Sequence, residues 1–205
     1  MIKVIRSADG LLGSNSYIVY DDETKNCLII DLGGDFLQIY GKIKTLGLNL
    51  SGVILTHGHY DHVAGCKDCK GKGFKIYSSR EDAKMLVSPD NLSSFFGADG
   101  FSVEAEGILD EGNNKIGGIN FKVIKTPGHT SGSICILIEN LLFSGDTLFK
   151  GSFGRYDFPT GNLQDLKSSI KEKLFLLDGK TVVLPGHGDI TTIESEREMN
   201  PINDY

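Results

Sequence analysis

Short apolar runs alternate with stretches of helical apolar spacing along the whole chain. The apolar runs are rich in Val, Ile and Leu and are bounded by polar turns, which is typical of strands. The helical stretches repeat apolar residues every three to four positions and end near Gly or a polar cap. The pattern predicts a mixed α/β (α+β) fold. The predicted strands cover residues 2–6, 17–20, 27–31, 53–55, 74–77, 121–124, 134–138, 141–143 and 181–184, and the predicted helices cover 35–46, 61–70, 79–86 and 163–176.

One stretch, residues 88–107, lacks periodicity and is rich in Ser, Gly and Phe. It predicts a mobile loop beside a functional site, where it could serve as a lid or a dimer contact. The alternative is an ordinary surface connection with Phe95 and Phe96 packed in the core. No linker or change of composition divides the chain, so we predict one domain over residues 1–205.

Four of the predicted strands are each followed by a turn of small residues that carries His or Asp. Because ligands in α/β proteins gather beyond the carboxyl ends of strands, these turns are expected to share one cleft. The four turns are Thr56–His59, Lys125–His129, Ser144–Asp146 and Pro185–Gly188.

The first turn opens the segment THGHYDH, residues 56–62, which holds three of the five histidines of the chain. A zinc-like ion takes about four ligands, and imidazole nitrogens and carboxylate oxygens suit it. Seven candidate donors therefore indicate two ions with one shared carboxylate, or else fewer ions with some residues only supporting the ligands. The candidates are His57, His59, Asp61, His62, His129, Asp146 and His187.

Composition narrows the function classes. With 40% hydrophobic and 23% charged residues the chain is globular in character, and its net charge of −6 argues against a nucleic acid partner. No apolar stretch reaches the length of about 18 residues that a membrane span needs, and we expect a cytoplasmic location. Cys66 and Cys69 form a CxxC pair, which we interpret as incidental because the other two cysteines lie singly in apolar runs.

The motifs together resemble the metallo-β-lactamase superfamily in its binuclear hydrolase form. They are HxHxDH at 57–62, TPGH ending at His129, SGDTLF with Asp146, and PGHG with His187. Within the superfamily, the segment GDTLFKGSFGRYDFPTGN and the tail GHGDITTIESEREMNP resemble the short, single-domain glyoxalase II (hydroxyacylglutathione hydrolase-like) proteins. The resemblance implies a four-layer αββα sandwich with the metals at one edge between two sheets.

The resemblance also implies an activity and a role for each donor. It implies a thioester hydrolase that converts S-lactoylglutathione, or a related hydroxyacyl thioester, into a hydroxy acid and a thiol. Its cofactors would be two divalent ions, with zinc the first expectation and iron or manganese as alternatives. The first ion would be held by His57, His59 and His129, the second by Asp61, His62 and His187, and Asp146 would bridge them. Asp61 would in addition orient the attacking hydroxide.

The expected partner is a small-molecule thioester, and its contacts are less well defined. Arg155 stands where the long glyoxalase II enzymes place a basic residue near glutathione, and Tyr156 is adjacent, whereas a structural salt bridge between Arg155 and Asp157 is the alternative. Because 18 residues follow His187, we expect no C-terminal helical glutathione-binding domain. The oligomeric state stays open.

A second activity on the same fold also fits the motifs. Persulfide dioxygenases resemble this chain in the histidine segment and in GRxDF, which matches residues 154–158. They use a single iron held by two histidines and one carboxylate, which His57, His129 and Asp146 could supply. Two bound ions would favour hydrolysis, and a single iron would favour the dioxygenase.

Overall fold

The computed structural model describes residues 1–205 and contains two six-stranded sheets. The first sheet follows chain order, with antiparallel pairing among its first three strands and parallel pairing from the third to the sixth. Its strands are β1 (Ile2–Ser7), β2 (Ser16–Asp21), β3 (Asn26–Ile30), β4 (Asn49–Ile54), β5 (Ile76–Ser78) and β6 (Gly107–Ile108).

The second sheet has the order β14-β13-β10-β9-β8-β7, and only its β10–β13 pair is parallel. A small hairpin of β11 (Leu148–Phe149) and β12 (Ser152–Phe153) stands apart from both sheets. The strands of the second sheet are β7 (Gly112–Ile116), β8 (Ile119–Lys125), β9 (Ile134–Ile138), β10 (Leu141–Gly145), β13 (Val182–Pro185) and β14 (Thr191–Thr192).

Six α-helices accompany the sheets. Asp35 caps the first of them by accepting from the backbone N–H groups of Leu37 and Gln38, as residues at the N-cap position commonly do. None of the helices is long and apolar enough to cross a membrane. They are α1 (Phe36–Thr45), α2 (Tyr60–Val63), α3 (Cys66–Gly71), α4 (Arg80–Met85), α5 (Leu163–Glu172) and α6 (Ile193–Met199).

Alternating strand residues divide the apolar side chains into three clusters. In β2 and β3, Ile18 and Ile29 face α1 and α3, whereas Val19 and Leu28 face the second sheet, because successive side chains of a strand point to opposite faces. On the far side, β10 and β13 pack against α5 and α6. The layers are therefore helices, sheet, sheet and helices, which confirms the αββα sandwich.

Two segments, one predicted helix and one predicted loop, differ in detail from the sequence predictions. The helix expected over 61–70 is broken into α2 and α3 near Gly65, where an added Cβ would overlap the carbonyl oxygen of Gly34. The loop 88–107 contains two short 3-10 helices, and its Phe101 is buried in the core. Phe95 is 78% exposed, so the alternative interpretation, in which Phe95 packs in the core, is wrong for this residue.

Candidate metal centre

The four predicted turns meet at one end of the sandwich, between the two sheets. β4 ends just before the first of them, and β8, β10 and β13 end within the first residues of the other three, so the backbone of the strands fixes where each donor lies. His59 Nδ1 lies 2.9 Å from His129 Nε2, and His187 Nε2 lies 3.1 Å from Asp61 Oδ2. Residues 70 and 126 positions apart in sequence are thus brought into direct contact.

The donors fall into two groups of three. His57, His59 and His129 form one group and Asp61, His62 and His187 the other, and within each group the candidate ligand atoms lie within 4.8 Å of one another. All these side chains are buried except His187, which is 25% exposed.

The Asp146 carboxylate stands between the two groups. Its Oδ1 lies 3.3 Å from His62 Nε2, and its Oδ2 lies 3.6 Å from both His129 Nε2 and His187 Nε2. Its two carboxylate oxygens thus lie at comparable distances from members of both groups. All seven candidates therefore share one centre, and their assignment as ligands stays a prediction.

Asp31, which follows β3, belongs to this centre although the sequence analysis did not single it out. Its Oδ1 accepts from the backbone N–H of Thr56 at 2.8 Å, and its Oδ2 accepts from Thr56 Oγ1 at 2.7 Å and from His62 Nδ1 at 3.1 Å. The signal was available, because Asp31 follows a strand and precedes two glycines, as the other donors follow strands and lie beside small residues.

Hydrogen bonds away from the centre select the tautomers of three histidines. The Thr56 hydroxyl donates to Asp31, so it can accept from His57 Nδ1–H at 3.1 Å. His62 Nδ1 donates to Asp31, and His129 Nδ1 donates to the carbonyl oxygen of Arg155 at 2.7 Å. Each ring therefore turns Nε2 toward the centre as the nitrogen that can bind a metal.

Burial and neighbouring charges shift the pKa values of the two groups differently. Burial lowers the pKa of His59 to about 3, and burial also lowers the pKa of His57 and of His129. For His62, burial acts to lower the pKa, but the carboxylates of Asp146, Asp31 and Asp61 outweigh it and hold the pKa well above its usual value. The first group is therefore neutral at pH 7, and a cation that binds the second must displace a proton.

Asp82, in α4, ties two of the donor turns together. Its Oδ2 accepts from the backbone N–H of Gly58 at 2.9 Å and from the Thr130 hydroxyl at 2.8 Å. The side chain of Asp82 takes no part in the N-cap of its own helix, because it is engaged by these two donors. Only the Ser79 hydroxyl takes part in the cap, accepting from the N–H of Asp82.

Close backbone approach explains two glycines of the centre. A Cβ at Gly33 would overlap the carbonyl oxygen of Asp61, and a Cβ at Gly154 would overlap the carbonyl oxygen of Asp146. Any larger residue would push a donor turn away from its partners.

The centre lies at the floor of a cavity of about 620 Å³. Of the two predicted substrate-contact residues, Arg155 lines this cavity, and its guanidinium is bound by Asp157 at 2.8 and 2.9 Å. Tyr156 does not line the cavity and packs instead against the apolar cluster beneath α5 and α6. The salt bridge considered as the alternative for Arg155 is thus present, and a substrate contact stays a prediction.

The chemistry of the donors fits a pair of metal ions. His57 Nε2 is buried and has no hydrogen-bond partner. A buried polar atom without a partner costs about 1–3 kcal/mol, a cost that coordination of a cation would remove. Imidazole and carboxylate donors together suit zinc, iron or manganese, and the geometry does not select one of them.

Similar sequences and structures of known proteins identify the family of this chain. The family model described as the metallo-beta-lactamase superfamily matches residues 9–187. Hydroxyacylglutathione hydrolase GloC of Haemophilus influenzae is 38% identical over 200 residues, covering 91% of both chains. The structure of BLEG-1 B3 metallo-beta-lactamase matches with a TM-score of 0.90 at 34% identity, covering 98% of both chains. TTHA1623, solved in a di-iron-bound form, matches with a TM-score of 0.84 at 32% identity, covering 97% of this chain and 99% of that one. The chain belongs to the metallo-beta-lactamase superfamily.

Proposed function

We propose that this protein is a binuclear-metal hydrolase of hydroxyacyl thioesters, with activity of the glyoxalase II type. The observation that carries the proposal is the pair of three-donor groups with the Asp146 carboxylate between them. The similarity to a hydroxyacylglutathione hydrolase over 91% of the chain supports the substrate class. A binuclear hydrolase needs the second group of donors, Asp61, His62 and His187, whereas a single-iron dioxygenase does not. The presence of this group therefore favours hydrolysis over persulfide oxidation.

Divalent ions held by these groups would lower the pKa of a water molecule to about 7 and polarise a carbonyl group. The chain itself supplies the orientation. Asp61 lies at the cavity floor, where its Oδ2 is fixed by His187 at 3.1 Å, and its carboxylate can align a water molecule for attack and take up its proton. The pKa of Asp61 is lowered: burial acts to raise it, but the hydrogen bond from His187 and the charge of His62 outweigh burial, so the group is ionised at pH 7.

The leaving group of a thioester needs no proton from the protein. A thiolate leaves without a proton donor because thiols are acidic relative to alcohols and amines, so no general acid is needed beside it. Apolar side chains form the walls beside the two groups of donors.

Hydrolysis of S-D-lactoylglutathione by the metal-loaded protein tests the proposal. We expect turnover that Asp61→Ala reduces by at least about 100-fold, since general-base contributions are about that size or larger. Asp68→Ala is the matched control, because Asp68 is an exposed carboxylate on α3 away from the centre.

Parallel assays separate the proposal from its competitors. A chromogenic cephalosporin tests β-lactam hydrolysis, and oxygen uptake with a persulfide substrate tests the dioxygenase. No turnover of any thioester by protein shown to carry two ions per chain would contradict the proposal. Oxygen uptake by protein with a single iron would support the dioxygenase instead.

A further inference from the structure

The walls of the cavity differ sharply in character from its floor. Seven of the thirteen lining residues are apolar, and they come from three separate loops. Leu12 belongs to the loop between β1 and β2, and Leu92, Phe95 and Phe96 belong to the loop 88–107. Phe149, Phe153 and Phe158 belong to the β11–β12 hairpin and the loop that follows it. The polar donors occupy the floor, so the part of a substrate that does not react meets phenyl rings and aliphatic groups.

Two of the apolar lining residues have an unfavourable backbone conformation. Leu12 has φ 54° and Leu92 has φ 63°, a left-handed conformation that is unfavourable for a residue with a branched side chain. Leu12 is moreover 77% exposed, and Phe95 is 78% exposed, so neither side chain is there to fill the core. Leu12 therefore combines backbone strain with exposed apolar surface, which is typical of a site that contacts a ligand, whereas Leu92 is 8% exposed.

The walls offer a single cation, and it already has a partner. Arg155 is the only lysine or arginine among the lining residues, and its Nε and Nη2 atoms donate to the Asp157 carboxylate. Its guanidinium also lies over the Phe158 ring, 4.1 Å from the ring centre. A ligand carboxylate placed against the apolar side chains would lose hydration and would have to compete with Asp157 for this one counter-ion, which is costly.

We propose that the thiol portion of the substrate is uncharged and apolar or aromatic, rather than a peptide thiol with free carboxylates such as glutathione. This inference rests on the proposed thioester hydrolysis and specifies its substrate class. Each methylene group buried in apolar contact strengthens binding by about fourfold. A thioester of an aromatic thiol should therefore bind at least about tenfold more tightly than one of a charged thiol.

Two lactoyl thioesters with the same acyl group provide the test. We expect kcat/KM of the metal-loaded protein to be at least tenfold higher for S-lactoyl benzyl mercaptan than for S-lactoylglutathione. Equal values, or a preference for the glutathione thioester, would overturn the inference while leaving the proposed function intact.

A matched pair of variants shows whether the cavity walls cause the preference. Leu12→Asn replaces the apolar side chain by one that tolerates a left-handed backbone, so the Tm should not fall. The benzyl-to-glutathione ratio of kcat/KM should fall about fivefold to tenfold. Leu176→Asn removes an equally exposed leucine outside the cavity, also 77% exposed, and should leave the ratio unchanged. An unchanged ratio in Leu12→Asn would contradict the inference.

Binding of inert analogues tests the inference even if no thioester is hydrolysed, an outcome that would defeat the proposed function. The 2-hydroxypropyl thioethers of benzyl mercaptan and of glutathione imitate the two substrates and cannot react. Calorimetric titration of the metal-loaded protein should give the lower Kd for the benzyl thioether, by at least tenfold. A lower Kd for the glutathione thioether would overturn the inference.

Discussion

Replacing Asp31 by Asn is expected to weaken metal binding while leaving the fold intact, because the change reverses a hydrogen-bond chain. The carboxylate accepts from Thr56 and from His62 Nδ1, which leaves Nε2 of His62 and, through Thr56, Nε2 of His57 free to bind metal. An Asn amide nitrogen in the place of Oδ2 would donate to both partners. Each ring would then carry its proton on Nε2, the atom that faces the centre.

The size of the effect follows from the number of bonds reversed. One histidine in each of the two groups is affected, and losing such an orienting partner typically costs 10–100-fold in metal affinity. We therefore expect each of the two ions to bind about 10–100-fold more weakly, or about 1.4–2.8 kcal/mol per ion. The fold should tolerate the change, because Asn keeps the bond from the Thr56 N–H and accepts the left-handed φ of 54° at this position.

Competition with a chromophoric chelator measures the two affinities, and thermal unfolding of the metal-free protein measures the fold. Asp35→Asn is the matched control, since Asn caps helix α1 as well as Asp does and Asp35 is exposed away from the centre. Wild-type affinity at both sites in a stable Asp31→Asn protein would refute the assignment of the tautomers.

Three further outcomes are expected. Gly33→Ala should lower the free energy of unfolding by about 1–3 kcal/mol and reduce activity, because its Cβ would displace the Asp61 carbonyl. Gly41 has open space around it, so Gly41→Ala should have neither effect. Urea unfolding of the two variants measures the difference. Burial raises the pKa of Asp82 from 3.8 to about 6, so the native state holds a proton that the unfolded state has lost between these values. The stability of the metal-free wild type should therefore fall relative to Asp82→Asn by about 2 kcal/mol as pH rises from 4 to 6, and parallel pH curves would argue against this burial. Iodoacetamide at pH 7 should modify no thiol of the native protein and four in denaturant, since burial raises the pKa of every cysteine, and rapid native labelling would contradict the packing around them. The cysteines are Cys27, Cys66, Cys69 and Cys135.

The sequence by itself determined the layers of the fold and the candidate donors. Alternation of apolar residues in strands such as β2 and β3 is a local property, and it identifies which faces must be buried. The spacing within THGHYDH is equally local, because a turn that leads into a short helix can present four donors side by side regardless of the rest of the chain. His129, Asp146 and His187 were found by the same logic, since each follows an apolar strand.

Only the tertiary structure decided how the donors are held and what surrounds them. Asp31 and Thr56 are 25 positions apart, and Asp82 and Thr130 are 48 apart, so no local pattern links their hydrogen bonds. The tautomers of the histidines depend on such long-range partners. The apolar walls depend on three loops that are distant in sequence and meet only when the two sheets pack. Local periodicity constrains which face of an element is buried, whereas the partner across a site is fixed by the packing of the whole chain.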